Sequence, residues 1–213
     1  MFEETDDARP GRRQEARRAQ TRDEIVAAAW GLCREHGLAG LSLRELARRV
    51  GLAAPSLYSY FDSKDAIYDA MFRQGQQEMA VAMAAYDEDP DPRAGRSFAR
   101  AASRAFFDFC TADPVRYQLL FQRTIPGFTP SPESYALAIA QLESLQRRLH
   151  ALGVDGPRAA DLWTAVLTGL TDQQISNDPG GERWATLVDE AVDMLCDHLG
   201  LPPERAPSTR SKR

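Results

Sequence analysis

The side chains best suited to chemistry at close spacing lie between Ser42 and Lys64. The twenty residues SLRELARRVGLAAPSLYSYF, residues 42–61, hold Ser56, Tyr58, Ser59 and Tyr60, and Lys64 follows shortly after. Tyr58 and Tyr60 offer hydroxyls to phosphate oxygens. Lys64 falls in the first turn of a further helix, so its ammonium stands beside free backbone amides, and both favour a phosphate. Elsewhere the residues that bond-breaking requires are scattered. Cys33, Cys110 and Cys196 are far apart among apolar neighbours, as buried small hydrophobes would be. His36, His150 and His198 are equally dispersed, and no pair has metal-ligand spacing. Asp161 and Asp172 share a helix but have no partner to complete an acid–base set. We therefore expect no enzyme, no metal and no cofactor.

These residues need elements to position them. Thr21 and Glu24 have capping-box spacing, which predicts a helix starting at Thr21 and stopped by Gly37, with Ile25, Ala28, Ala29, Leu32 and Cys33 as its apolar stripe. Ser42 and Glu45 repeat that spacing at a second helix, which buries Leu46, Ala47 and Val50 and ends at Gly51. Pro55 suits the first turn of a third, with Leu57 and Phe61 four apart on one face. A short helix, a turn with Gly, and a helix with one buried face make a helix-turn-helix. Its outward residues Ala54, Ser56, Ser59 and Tyr60 let the backbone approach base edges in a major groove about 12 Å wide.

Charge distribution agrees with a polyanion at one end. The chain carries −5 overall, yet Arg9 to Lys64 holds eleven Lys or Arg against six Asp or Glu, a local +5, which leaves −10 for the rest. Residues 1–20 read as a flexible basic arm whose Arg12, Arg13, Arg17 and Arg18, with Arg22, touch phosphates or are simply solvated. Arg48 and Arg49 leave the same choice open.

Beyond Lys64 the pattern stays helical. A long helix is predicted to about Tyr86 and broken by Asp87 to Pro92. Others follow from about Arg93 to Thr111, Pro114 to Arg123, a Pro-rich loop then a helix to Gly153, Gly156 to Ser176, and Gly181 to Gly200. Residues 201–213 read as a polar, disordered tail. No strand-like alternation occurs. The chain lacks a secretory signal and an apolar run long enough to span a membrane, so a cytoplasmic location and no membrane partner are expected.

The capped first helix, S-L-R-E-L-A, V-G-L, S-L-Y-S-Y-F and S-K-D-A-I together resemble the TetR family of bacterial repressors over residues 21 to 68. The resemblance implies an all-α fold of about nine helices. A three-helix DNA-binding head (21–68) would precede a helical ligand-binding and dimerisation domain (69–200). By position, Ala54, Pro55, Ser56 and Ser59 would face bases, with Thr21, Arg44, Tyr58, Tyr60 and Lys64 on phosphates. Two departures stand out. Ala53 replaces the usual hydroxyl N-cap, a loss of about 1 kcal/mol if uncompensated. Tyr60 replaces a frequent histidine.

The implied function is a homodimeric repressor released from a palindromic operator in double-stranded DNA by a small-molecule effector. The alternative is a constitutive or architectural DNA-binding regulator without one. Phe106, Phe109, Tyr117, Phe121 and Trp163, with Phe98, either wall a pocket or fill the core, and Gln173 and its neighbour Gln174 add uncharged polar groups. Short of Lys and Arg, such a pocket fits an uncharged or weakly polar, partly aromatic effector. Leu162, Val166, Leu170, Leu187, Ala191 and Leu195, with Ala159 and Met194, are the candidates for a dimer interface.

Overall fold

The computed structural model describes residues 9–87 and 95–201. Among these, nine helices and no strand occur: α1 (Arg9–His36), α2 (Leu43–Arg49), α3 (Ala54–Leu57), α4 (Lys64–Met83), α5 (Gly95–Ala112), α6 (Pro114–Phe121), α7 (Pro132–Ala151), α8 (Pro157–Asn177) and α9 (Val188–His198). No described helix is long and apolar enough to cross a membrane. The expected tail lies outside the described residues except for Leu201, and the expected break after Asp87 lies outside them too. Leu201 is 4% exposed and belongs to the core, because Gly200 in the left-handed region (φ 78°) turns the chain back over the end of α9.

The largest departure from expectation is at the start. Residues 11–20 are not a flexible arm but part of α1. Thr21 is therefore no N-cap; its hydroxyl donates to the Arg17 carbonyl one turn back, at 3.0 Å. The reason is local. Arg, Gln, Glu and Ala fill this stretch, all strong helix formers, and Pro10 sits where a missing amide is harmless. Periodicity could not find it, since the stretch has no apolar stripe to bury.

The chain divides into two compact units, Met1–Gln74 with Gln118–Ser134, and Gly75–Tyr117 with Tyr135–Arg213. The first unit thus reaches past residue 68 and takes in the segment ahead of α7. Its core is Ile25, Ala29, Leu32, Leu46, Leu57 and Phe61, with Ile67, Tyr68 and Met71 of α4. The Tyr68 hydroxyl donates to the buried Leu38 carbonyl. The Asp69 carboxylate accepts from the Ser131 amide (2.7 Å) and the Ser134 hydroxyl (2.8 Å), which fixes the start of α7.

In the second unit α5, α8 and α9 enclose Phe107, Trp163, Leu167, Val188, Val192 and Leu195. The Trp163 indole N–H donates to Ser103 at 3.1 Å, so this large buried ring leaves no polar atom unpaired. Along one flank of the pair α5 and α9, Arg96, Arg100 and Arg104 meet Asp197, Asp193 and Asp189 at 2.6, 2.7 and 2.8 Å. Three arginines at four-residue spacing against three aspartates at the same spacing in reverse order hold the two helices antiparallel and in register. The last helix starts at Val188 rather than near Gly181, because the chain from Asp178 to Ala185 is wrapped around Gln174.

Candidate DNA-binding surface

The geometry of residues 42–61 follows from its caps. The Ser42 hydroxyl accepts the Glu45 amide at 3.4 Å and starts α2. Only half of the capping box forms, since the Glu45 carboxylate turns to Arg48 instead, at 2.9 and 2.5 Å. Gly51 at φ 69° ends α2; its amide reaches Arg48 O (3.3 Å) and the Leu52 amide reaches Ala47 O (2.8 Å). A side chain is strained at that φ, so this position carries the turn between the helices. The α3 helix then starts without a side-chain cap at Ala53, as its sequence implied, with Pro55 in the first turn. Its ordered part is one turn, continued by the Ser59, Tyr60 and Phe61 amides bonding back to Ser56 and Leu57 carbonyls.

Leu57 (2% exposed) and Phe61 (3%) anchor α3 in the core. The opposite side, made of Ala54, Pro55, Ser56, Tyr58 and Ser59, is exposed, and Arg44 is exposed on the preceding helix. Tyr60 and Lys64 are half-buried. The Ser63 hydroxyl accepts the Ala66 amide at 3.0 Å, so α4 is capped just before Lys64, whose ammonium stands 5.4 Å from the Tyr68 ring centroid. Thr21, half-buried on α1, is a further member of the expected set.

Two residues in this surface were not singled out from sequence as organisers of α3. Arg18 donates to the Ser59 carbonyl at 2.6 Å, and Arg22 donates to the Tyr60 carbonyl while its guanidinium covers the Phe61 ring at 4.2 Å. Both close the carboxy-terminal end of α3, where carbonyls have no helical partner. A signal for this existed: Arg18 and Arg22 extend the spacing of Ile25, Ala29 and Leu32, so they continue the line of that buried stripe towards α3 while staying exposed themselves.

Arg48 and Arg49 are committed to carboxylates. Arg49 grips Glu35 of α1 through two bonds of 2.8 Å, and passes Gly31, where a Cβ would lie 3.2 Å from the guanidinium. Hydrogen bonds from Arg49 and Arg48 hold the Glu35 and Glu45 carboxyls below the ordinary carboxylate range. These pairs brace α1, α2 and the turn; they are not presented outward as bare charge.

The second unit corrects several expectations. Gln173 is exposed and accepts from Asn177 at 2.7 Å, whereas Gln174 is the buried glutamine. Its amide nitrogen donates to Gly181 O (3.1 Å) and its oxygen accepts the Trp184 and Ala185 amides (2.9 and 3.2 Å). Trp163 lies within the core. Tyr117 is buried and donates to Thr168 O at 3.2 Å, and Phe106 and Phe109 are half-buried, the latter under Arg116 at 3.8 Å. Phe121 falls in the first unit. Leu195 and Ala159 are buried within the core of the chain itself, at 4% and 3%, which removes them from any outward face. Leu162, Val166, Leu170 and Ala191 are half-buried, and Leu187 is 37% exposed beside Met194 at 59%. All three thiols are buried and free, and burial pushes the Cys33 thiol up to about 11. Among the described residues no group of three or more His, Cys, Asp or Glu could hold a metal ion.

Comparison with known proteins follows the same division. Residues 25–71 match the family model for bacterial regulatory proteins of the tetR family, and residues 96–199 match that for the tetracyclin repressor-like C-terminal domain. The chain is 30% identical to the tetracycline repressor protein class A from transposon 1721 of Escherichia coli, over 80% of this chain and 75% of that protein. It is 28% identical to the HTH-type transcriptional regulator Rv1816 of Mycobacterium tuberculosis over 60% of this chain, and that match spans about half (54%) of the relative's length. Among solved structures, the transcriptional regulator FadR from Bacillus subtilis in complex with stearoyl-CoA superposes with a TM-score of 0.62 at 16% identity, over 80% of this chain and 95% of that one.

Proposed function

This chain belongs to the TetR family of helix-turn-helix transcriptional regulators, which are not enzymes, and from that premise we propose that it is a homodimeric repressor released from a palindromic operator by a small molecule. One observation carries the DNA-reading part. The α3 helix is pinned by Leu57 and Phe61 on one side and exposes the small residues Ala54, Pro55, Ser56 and Ser59 on the other, which let its backbone approach a base edge, with Tyr58 exposed beside them. Tyr58, Tyr60, Lys64, Arg44 and Thr21 surround that face as phosphate contacts, which set orientation while the face reads sequence.

A palindrome requires two heads with recognition helices about 34–36 Å apart. The half-buried Leu162, Val166, Leu170 and Ala191, with the exposed Leu187 and Met194, are the apolar set through which α8 and α9 of two protomers pair. An effector preferring a conformation with another spacing lowers operator affinity by the coupling energy, typically about 1–3 kcal/mol. The aromatic residues Phe106, Phe109 and Tyr117 suit an uncharged or weakly polar, partly aromatic ligand. The tetracycline of one relative's name and the acyl-CoA of a structural neighbour support a small-molecule effector as such.

Selection of duplexes from random DNA supplies the probe. The triple variant Tyr58→Ala/Tyr60→Ala/Lys64→Ala, with parent-like helical content, binds the selected duplex about a hundredfold or more weakly near 0.1 M salt. Parent-like affinity in that variant overturns the assignment.

A further inference from the structure

The extension of α1 ahead of Thr21 has no role in the head's core. Residues 11–20 are exposed throughout, yet they stay helical for nearly three turns. Their charge opposes the helix. Arg12, Arg13, Arg17 and Arg18 stand in the amino-terminal half with no acidic residue in the first turn, where the helix dipole already presents positive charge. Such an arrangement costs stability in isolation and gains it beside a polyanion.

The placement of this extension is fixed. Arg18 and Arg22, four residues apart on one face, bond to the Ser59 and Tyr60 carbonyls at the end of α3. The extension therefore leaves the head next to the helix that faces the bases, and not on the far side of the unit. Arg13, Arg17 and Thr21 follow one another at four-residue spacing on an adjacent face, so the two guanidiniums continue the line begun by Thr21.

We propose that Arg13 and Arg17 form a second nucleic-acid contact, in which the amino-terminal extension of α1 runs along the sugar-phosphate backbone of duplex DNA flanking the bases read by α3. The occupant is the DNA strand itself, and the contact is with phosphates and carries no base preference. Its effect is to lengthen the footprint and raise affinity without altering sequence choice. The idea rests on the helix-turn-helix reading above but needs residues that reading does not use.

The test uses the full chain and the selected duplex, titrated from about 50 to about 200 mM KCl. Arg13→Ala/Arg17→Ala binds at least about tenfold more weakly near 0.1 M salt, and its log K against log salt is shallower by about 2 for each engaged protomer. Arg13→Lys/Arg17→Lys restores the slope, which a purely structural role would not require. The base preferences recovered by selection stay those of the parent. A double alanine variant with the parent's slope, or with weaker binding at unchanged slope, overturns the proposal. A parent that retains no duplex overturns the helix-turn-helix reading together with it, whereas the triple variant at residues 58, 60 and 64 failing beside a parent-like Arg13/Arg17 variant overturns this one alone.

Discussion

The two units use the same residue types to opposite ends. In the first, Arg12, Arg13, Arg17 and Arg44 are exposed, as are Ser56, Tyr58 and Ser59 around α3. In the second, Arg96, Arg100 and Arg104 each meet an aspartate of α9, and Ser103, Thr171 and Gln174 are buried. The local charge balance accounts for the contrast. Residues 9–64 carry more base than acid, so some arginines have no carboxylate to meet, while the acid-rich remainder supplies one to each arginine of the ladder. A surface kept for a polyanion is one whose charges are not spent internally; a scaffold is one whose charges are.

The sharpest way to break that contrast is to truncate one aromatic residue in each unit. Trp163 is 4% exposed and bonded to Ser103, so Trp163→Ala lowers the unfolding free energy by about 3–5 kcal/mol and leaves the Ser103 hydroxyl unpaired. Tyr58 is 55% exposed, and Tyr58→Ala changes stability by less than about 0.5 kcal/mol while weakening DNA binding. Urea denaturation and duplex titration of both variants decide the matter. A large stability loss at Tyr58, or none at Trp163, would erase the distinction between presenting and holding.

A finer version compares two neighbours on α8. Gln174→Ala removes the partner of the Trp184 and Ala185 amides and of the Gly181 carbonyl, at a cost of about 1–3 kcal/mol. Gln173→Ala stays within about 0.5 kcal/mol, because its side chain is exposed and serves only Asn177. Equal melting temperatures for the two variants would refute the role given to Gln174.

That pair also shows where sequence stops informing. Helix number, the Ser42 cap, the Gly51 turn and the Leu57 and Phe61 anchors were legible, since each rests on local spacing or on one residue's backbone preference. The exposed set on α3 was legible for the same reason, as the residues left over once the buried stripe is drawn. The phase of α8 and α9 was less so. Trp163, Leu167 and Thr171 set a stripe that continues to Gln174, and Val188 and Val192 one that continues to Leu195, but two nearly equivalent apolar faces compete on each helix. The extension of α1 was invisible to hydrophobic periodicity because its helicity comes from propensity and not from burial. The partners Glu35 for Arg49 and Ser59 for Arg18 are separated by fourteen and forty-one residues, distances at which charge alone does not select a mate.

The smallest effect belongs to an exposed pair at the end of α7. His150 Nδ1 lies 2.5 Å from the Asp155 carboxylate. That hydrogen bond, helped by the carboxylate's charge, raises the histidine pKa above its ordinary 6.5. A group whose folded pKa is raised contributes its stability fully below the unfolded value, and loses it as pH rises through the folded one. The contribution is therefore present in mild acid and disappears above the raised pKa, the reverse of a paired carboxylate. Both side chains are more than three-quarters exposed, so solvent screens the pair and the change in overall stability is slight. The imidazole titration itself is the measurable quantity: its NMR midpoint lies above 6.5 in the parent and returns towards 6.5 in Asp155→Asn. A His150 midpoint unchanged by Asp155→Asn would mean that the acidic surplus of the second unit as a whole, and not this one carboxylate, sets the proton affinity of His150.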